Sequence, residues 1–185
     1  MGRIRGLLLA ALFSSLALAA CGQPAADHST TVASVPTCLT KNLVAEIGLA
    51  NVAMGHVAQE IRFKNRSSAT CTMRGYPTLA MIDAKGAPLV THLNFGADYI
   101  VPVLKVRTVT LAPGGVAGFL VGYESATGYS GVTCPTSHAI EIYPPHNARA
   151  ILVNWHLAPY GGTVTALRCG QLTVSPVAPV GDLQS

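Results

Sequence analysis

The stretch "HVAQEIRFKNR", residues 56–66, decides the fold class. In an extended chain Val57, Ile61 and Phe63 fall on one side, and Glu60, Arg62, Lys64 and Arg66 on the other. A period of two marks a strand with one face buried and one in water. No stretch holds a 3.6-residue apolar period for three turns, so helices are not expected to build the core.

Similar short runs lie on both sides of it. They are "LVAEIGLAN" near 43–51, "TLAMID" at 78–83, "PLVTHL" at 88–93, "VRTVTLA" at 106–112, "VAGFLVGY" at 116–123, "AIEIY" at 139–143, "AILVNW" at 150–155 and "LRCGQLTVSPV" at 167–177. Asp83-Ala84-Lys85-Gly86 and Pro113-Gly114-Gly115 carry turn chemistry between runs. Short strands at this spacing predict an all-β fold, an antiparallel β-sandwich of immunoglobulin-like type. Strand–helix alternation, which a parallel α/β sheet needs, is missing. The longest expected loop is "ESATGYSGVTCPTS", residues 124–137. Long loops carry function more often than the elements they join.

The N-terminus reads differently. Arg3 and Arg5 precede an apolar run from Leu7 to about Ala20 that ends in small residues. This is the layout of a secretory signal, and it is too short to span a membrane. Two cleavage readings compete. Ala17-Leu18-Ala19 fits ordinary secretion, which would leave one spare thiol. Leu18-Ala19-Ala20-Cys21 resembles a bacterial lipobox, and that resemblance implies cleavage before Cys21 and a diacylglyceryl thioether on its sulfur. Two or three acyl chains hold a protein to a bilayer, whereas one does so only marginally. Residues 22–36, "GQPAADHSTTVASVP", are small and polar without apolar period. They read as a disordered tether reaching on the order of 20 Å. The expected organisation is therefore a signal peptide at 1–20, a lipidated tether at 21–36 and a single β-sandwich domain at 37–185.

Lipidation also accounts for the cysteine count. The chain has 5 cysteines, and an odd thiol in an exported protein needs a use. With Cys21 acylated, Cys38, Cys71, Cys134 and Cys169 remain to pair. Four cysteines allow three connectivities, which sequence alone does not decide. Cys38 sits before the first strand and Cys71 after the second, and such ends meet in an antiparallel pair. Cys134 precedes "AIEIY" and Cys169 opens the last run. The expected bridges are Cys38–Cys71 and Cys134–Cys169. A zinc site is disfavoured by the lack of C-x-x-C spacing and by the oxidising compartment.

Charge narrows the partners. The chain has 12 basic and 8 acidic residues. Arg3 and Arg5 leave with the signal, so the mature balance is about +2, with no run of Lys or Arg. That excludes a nucleic-acid patch.

"CTMRGYPTLAMIDAKGAPL", residues 71–89, resembles the signature of a domain-of-unknown-function family found in exported actinobacterial proteins and lipoproteins. The matching positions are Cys38, Phe63 and Asn65 at a strand end, then Cys71, Met73, Gly75, Tyr76, Pro77 and Leu79, then Asp83 and Gly86. Leu111, Pro113, Gly114 and Ala117 follow, then Cys134 and Cys169. The resemblance spans about residues 38–177. It implies an immunoglobulin-like sandwich at the cell envelope and brings no reaction or agreed binding residues. The motif itself reads as structure. Gly75 suits a turn with φ above zero, Pro77 fixes a strand entry, and Tyr76 can pack on a sheet edge.

Catalytic patterns are lacking. His28, His56, His92, His138, His146 and His156 form neither H-x-H nor H-E-x-x-H, and a metal would need His138, His146 and His156 to converge in space. "GYSG" at 128–131 lacks the spacing of a nucleophile elbow. No two of Glu124, Glu141 and Asp98 are tied together for acid–base work. Tyr99, Tyr123, Tyr129, Tyr143 and Tyr160, with Trp155, fall at strand ends and in loops. Of these, Tyr99, Tyr123, Tyr129 and Tyr160 are the candidate binding surface, since tyrosines give contact area at low entropy cost; ordinary packing explains them equally well. The sequence thus points to a non-enzymatic, lipid-anchored module on the extracytoplasmic face of the cell membrane. It would contact an envelope protein or a wall polymer, without cofactor or metal. The alternatives are a carrier of an apolar ligand or lipid, which needs a cavity on the order of several hundred Å³, and an envelope hydrolase with a site built from distant loops around His138 or Glu124.

Overall fold

The computed structural model describes residues 34–125, 134–154 and 167–184. Cys21, Tyr129, Tyr160, Trp155, His28, His156 and the "GYSG" segment lie outside them. Eleven strands are described. β1 (Leu43–Ala53), β2 (His56–Asn65), β7 (Val116–Glu124), β10 (Gln171–Val174) and β5 (His92–Phe95) form the large sheet in that spatial order, with β11 (Ala178–Pro179) also paired to β7. β4 (Thr78–Ile82), β8 (Ala139–Tyr143) and β9 (Ile151–Asn154) make a second sheet, and β3 (Cys71–Met73) with β6 (Val109–Leu111) a third. The fold is all-β with several sheets, as the periodicity requires. Every named strand pair is antiparallel except β5–β10, which runs parallel with Asn94 opposite Thr173. That pair departs from the all-antiparallel expectation because residues 96–108 carry the chain off the sheet before it returns.

The inner face of the large sheet supplies Val57, Ile61, Phe63, Phe119, Val121, Leu172 and Val174 to one core. Leu79, Met81, Ile140 and Ile142 of the second sheet, and Met73 and Leu111 of the third, join the same core. Phe63 and Phe119 stack at 5.4 Å at its centre. Burial of a side chain of this size contributes about 1.5–3 kcal/mol.

The wet face expected for β2 is wet only toward its end: Lys64 and Arg66 are exposed and Arg62 is half-buried, but Glu60 is 2% exposed. A second cluster explains it. Ala58 of β2 and Leu120 of β7 pack outward against Val101, Ala178 and Leu183. Residues 96–108 form a strap across this outer face, and the 3-10 helix Val180–Gln184 lies beside it, bringing Leu183. The alternation in β2 is real, but around Ala58 and Glu60 both of its faces are covered.

Two cross-links brace the frame. Cys38 joins Cys71, with Cα atoms 4.9 Å apart and a sequence separation of 33. Cys134 joins Cys169, with Cα atoms 4.3 Å apart and a separation of 35. The first pair meets for a different reason than expected. Cys71 lies in β3, and Thr37 forms a parallel bridge with Thr72. The Cys38 N–H donates to the Thr72 carbonyl at 2.9 Å, and the Thr72 N–H donates to the Pro36 carbonyl at 2.8 Å. For the second pair, Thr136 bridges Arg168 and the Cys169 N–H donates to the Pro135 carbonyl.

The family-like motif acts as structure. Gly75 has φ +106°, Tyr76 rests on Phe95 of edge strand β5 at 5.4 Å, and the Gly75 carbonyl accepts from Val177 N–H. In the 83–86 turn, the N–H groups of Ala87 and Lys85 donate to the Asp83 carboxylate, both at 2.8 Å. The hydrogen bond from Ala87 is the main reason its carboxyl titrates below the usual range.

Asn65, fully buried, knots the end of β2 to the turn before β7. Its Nδ2 donates to the carbonyls of Ala69 at 2.8 Å and Leu111 at 3.1 Å, and its Oδ1 accepts from Ser67 N–H and Oγ–H. The Gly114 N–H donates to its carbonyl, and its own N–H donates to Gly115. Asn65→Ala strands the buried Leu111 carbonyl and removes the half-buried bonds to Ala69 and Ser67 at once. The expected loss is about 2–4 kcal/mol, read as a lower urea midpoint at unchanged slope. A loss under about 0.5 kcal/mol would mean that these groups find other partners.

Candidate functional site

Registered partners in a sheet share a face. From the β2–β7 ladder, the outer face carries the pairs His56–Glu124, Ala58–Gly122, Glu60–Leu120 and Arg62–Gly118. Thr173 pairs with Gly122 and Asn94 with Thr173, and Gln171, two residues before Thr173, lies on the same side. Polar side chains of four strands therefore meet on one surface, and the strap crosses it.

The strap is seated by glycines of β7. A Cβ on Gly122 would stand 2.6 Å from Val101 Cγ2 and 2.7 Å from Asp98 Oδ2. A Cβ on Gly118 would meet Leu183 Cδ1 at 2.8 Å. Asp98 fixes the strap's own turn, its Oδ1 accepting from the N–H groups of Ile100 at 2.8 Å and Val101 at 2.7 Å. Val101 is fully buried as the plug.

On either side of the strap lies a cleft. The first, about 350 Å³, runs between Leu49, Ala58 and Leu120 on the sheet and Ile100, Pro102 and Leu183 above, with Glu60 at its floor. Both oxygens of Glu60 are bound by Arg62, at 2.7 Å each, and Oε2 also accepts from Leu49 N–H at 3.1 Å. Gly48 makes room for this carboxylate, since a Cβ there would be 2.4 Å from Oε2. Glu60 is thus a satisfied structural acid.

The second cleft, about 260 Å³, holds His56, Asn94, Asp98, Tyr99, Gln171 and Thr173, with Glu124 at its margin. Tyr99 stands out of the strap, 67% exposed. Its ring lies 5.2 Å from that of His56, and its hydroxyl donates to Met54 Sδ. This cleft is a surface of mixed donors and acceptors beside an exposed ring.

Of the tyrosines expected to form a binding surface, Tyr99 lies in this cleft. Tyr123 does not serve as surface. It is 3% exposed, because its place in β7 puts it on the inner face with Phe119 and Val121. Its hydroxyl is buried without a hydrogen-bond partner. Burial drives its pKa well above the ordinary tyrosine range, with Arg168 pulling weakly the other way. Tyr129 and Tyr160 lie outside the described residues. The sequence reading missed His56, Asn94, Gln171 and Thr173. Only the parallel β5–β10 register brings Asn94 and Thr173 together, and no local motif reports it.

A family model described as Domain of unknown function (DUF4232) matches residues 38–178. The chain belongs to this family. The match opens on the first cysteine of the Cys38–Cys71 bridge and runs into β11, so the DUF4232 domain includes the strap, the second cleft and all of the first cleft named above except Leu183. No significant match is found among curated proteins or among solved structures.

Two substitutions test this geometry. Gly122→Ala forces Val101 and Asp98 off the sheet and should cost about 1–3 kcal/mol, with faster amide exchange at residues 98–101. Unchanged exchange there would show that the strap yields without being displaced. Tyr123→Phe removes an unpartnered buried hydroxyl and should leave the thermal midpoint unchanged or higher. A clear drop would show that the hydroxyl is bonded in solution.

Proposed function

We propose that this protein is a lipid-anchored binding module of the cell envelope and not an enzyme. Cys21 carries the anchor, and the DUF4232 domain stands on the extracytoplasmic side, held off the membrane by residues 22–36. The cysteine arithmetic is the observation that supports this most. Four of the 5 cysteines close two bridges, as suits an oxidising compartment. The remaining one, Cys21, ends an apolar run in a lipobox-like sequence.

The outer face supports binding over catalysis. Glu60 is tied to Arg62 and to Leu49 N–H, and Asp98 to the N–H groups of its own turn. Acids committed in this way hold structure and are poorly placed to exchange protons with a substrate. The second cleft offers recognition groups that suit an envelope protein or a wall polymer.

In detergent phase partitioning, the native protein should enter the detergent phase and Cys21→Ala should stay in the aqueous phase. Mass spectrometry should find acyl groups on the Cys21 peptide. Native protein in the aqueous phase with an unmodified Cys21 would overturn the proposal.

A further inference from the structure

We propose that the cleft between Tyr99 and the β5–β10 pair is a saccharide site that takes one neutral sugar ring of a longer glycan. The inference deepens the binding-module reading and rests on it only for where the glycan is found. The chemistry of the cleft stands separately.

Size comes first. At about 260 Å³ the cleft falls below the range of roughly 300–1,000 Å³ typical of drug-sized ligands. It fits a single ring-sized unit, with the rest of the chain lying outside.

Charge comes next. Asp98 and Glu124 bring negative charge, and neither lysine nor arginine is among the described lining residues. An anionic ligand such as a phosphate would meet repulsion from these carboxylates, and the nearest cation, Arg168, is outside the lining and donates to the Ser125 carbonyl at 2.8 Å. A cationic peptide would pair with the carboxylates and its backbone carbonyls would accept from Asn94 and Gln171, so charge alone does not separate it from a sugar and it is the rival that the test includes. One oxygen of Asp98 is already taken by two backbone N–H groups.

Hydrogen-bonding capacity then selects the class. Asn94, Gln171 and Thr173 each donate and accept, and sugar hydroxyls do the same. Asn94 and Thr173 are register partners on adjacent strands, so their spacing is set by the sheet and not by a loop. Thr173 is itself 9% exposed, at the floor. Rigid placement of polar groups is what orients a small ligand.

The ring supplies the rest. Tyr99 presents an exposed aromatic face with a neighbour at each end. His56 lies against the ring at 5.2 Å and Met54 Sδ accepts from the hydroxyl at 3.1 Å. An exposed tyrosine beside donor–acceptor pairs can cover the apolar C–H face of a pyranose while the edge groups read its hydroxyls.

The test probes the full chain, kept in detergent, against an array of bacterial-envelope glycans and simple hexopyranose oligosaccharides. Tetralysine peptide is included as a cationic comparison. The native protein should retain at least one glycan. Tyr99→Ala and the double change Asn94→Ala/Gln171→Ala should each weaken it by about tenfold or more, while Lys64→Ala, far along β2, should not. Circular dichroism melts confirm that the variants fold, as their exposed positions predict. Retention of no glycan, retention of tetralysine alone, or equal retention by the cleft variants would overturn the proposal. Cys21→Ala, run in parallel, separates the two readings. It should bind the glycan as the native chain does, so a failed anchor shows in phase partitioning and a failed cleft shows only here.

Discussion

The structure depends on a central ladder whose middle is closed off from water on both faces. β2 and β7 run antiparallel from His56–Glu124 to Lys64–Val116. Their inner side chains fill the main core, and outward-facing Ala58 and Leu120 lie under the strap and Leu183. Polar groups in that middle stretch are cut off from solvent, so each must be answered inside the protein. Gln59 does so by donating to the carbonyls of Gly48 and Leu49, and Glu60 through Arg62. Asn65 does so at the ladder's end. The irregular register of β1 between Ile47 and Ala50 follows from the same need, since it turns the Gly48 and Leu49 carbonyls toward Gln59.

The outer layer works because β7 is thin there. Gly118 and Gly122 strip side-chain bulk from one face of the strand while Phe119, Val121 and Tyr123 fill the other. Backbone entropy makes glycine costly in a strand interior. Here the cost is offset by two elements that settle close against the sheet. The strap in turn makes two clefts from one surface, which is how an ordinary sheet face acquires distinct sites.

Much of the fold was legible because period-two patterning survives wherever one face is apolar. Nine of the strands fall within or against runs that the pattern marks. β3 and β11 have 3 and 2 residues, too short to show a period. The run at 88–93 pairs chiefly at its end, as Pro88 makes only an isolated bridge to Ile82. The dryness of Glu60 was not legible, because an alternating charge looks the same under a strap as in water. Tyr123 was misplaced for a related reason. Its position at a strand end suggested exposure, but its parity with Phe119 and Val121 already pointed inward. The cleft was least legible of all. Its residues come from four strands and the strap, and their meeting depends on one parallel pairing that leaves no local trace.

The position of the first bridge has a mechanical consequence. Tension applied to the chain before Thr37 reaches the Cys38–Cys71 bond ahead of the first residue of β1. The covalent link passes that load into β3. The long ladder of β1 on β2 is therefore spared from being peeled open by a tug at the amino-terminal side.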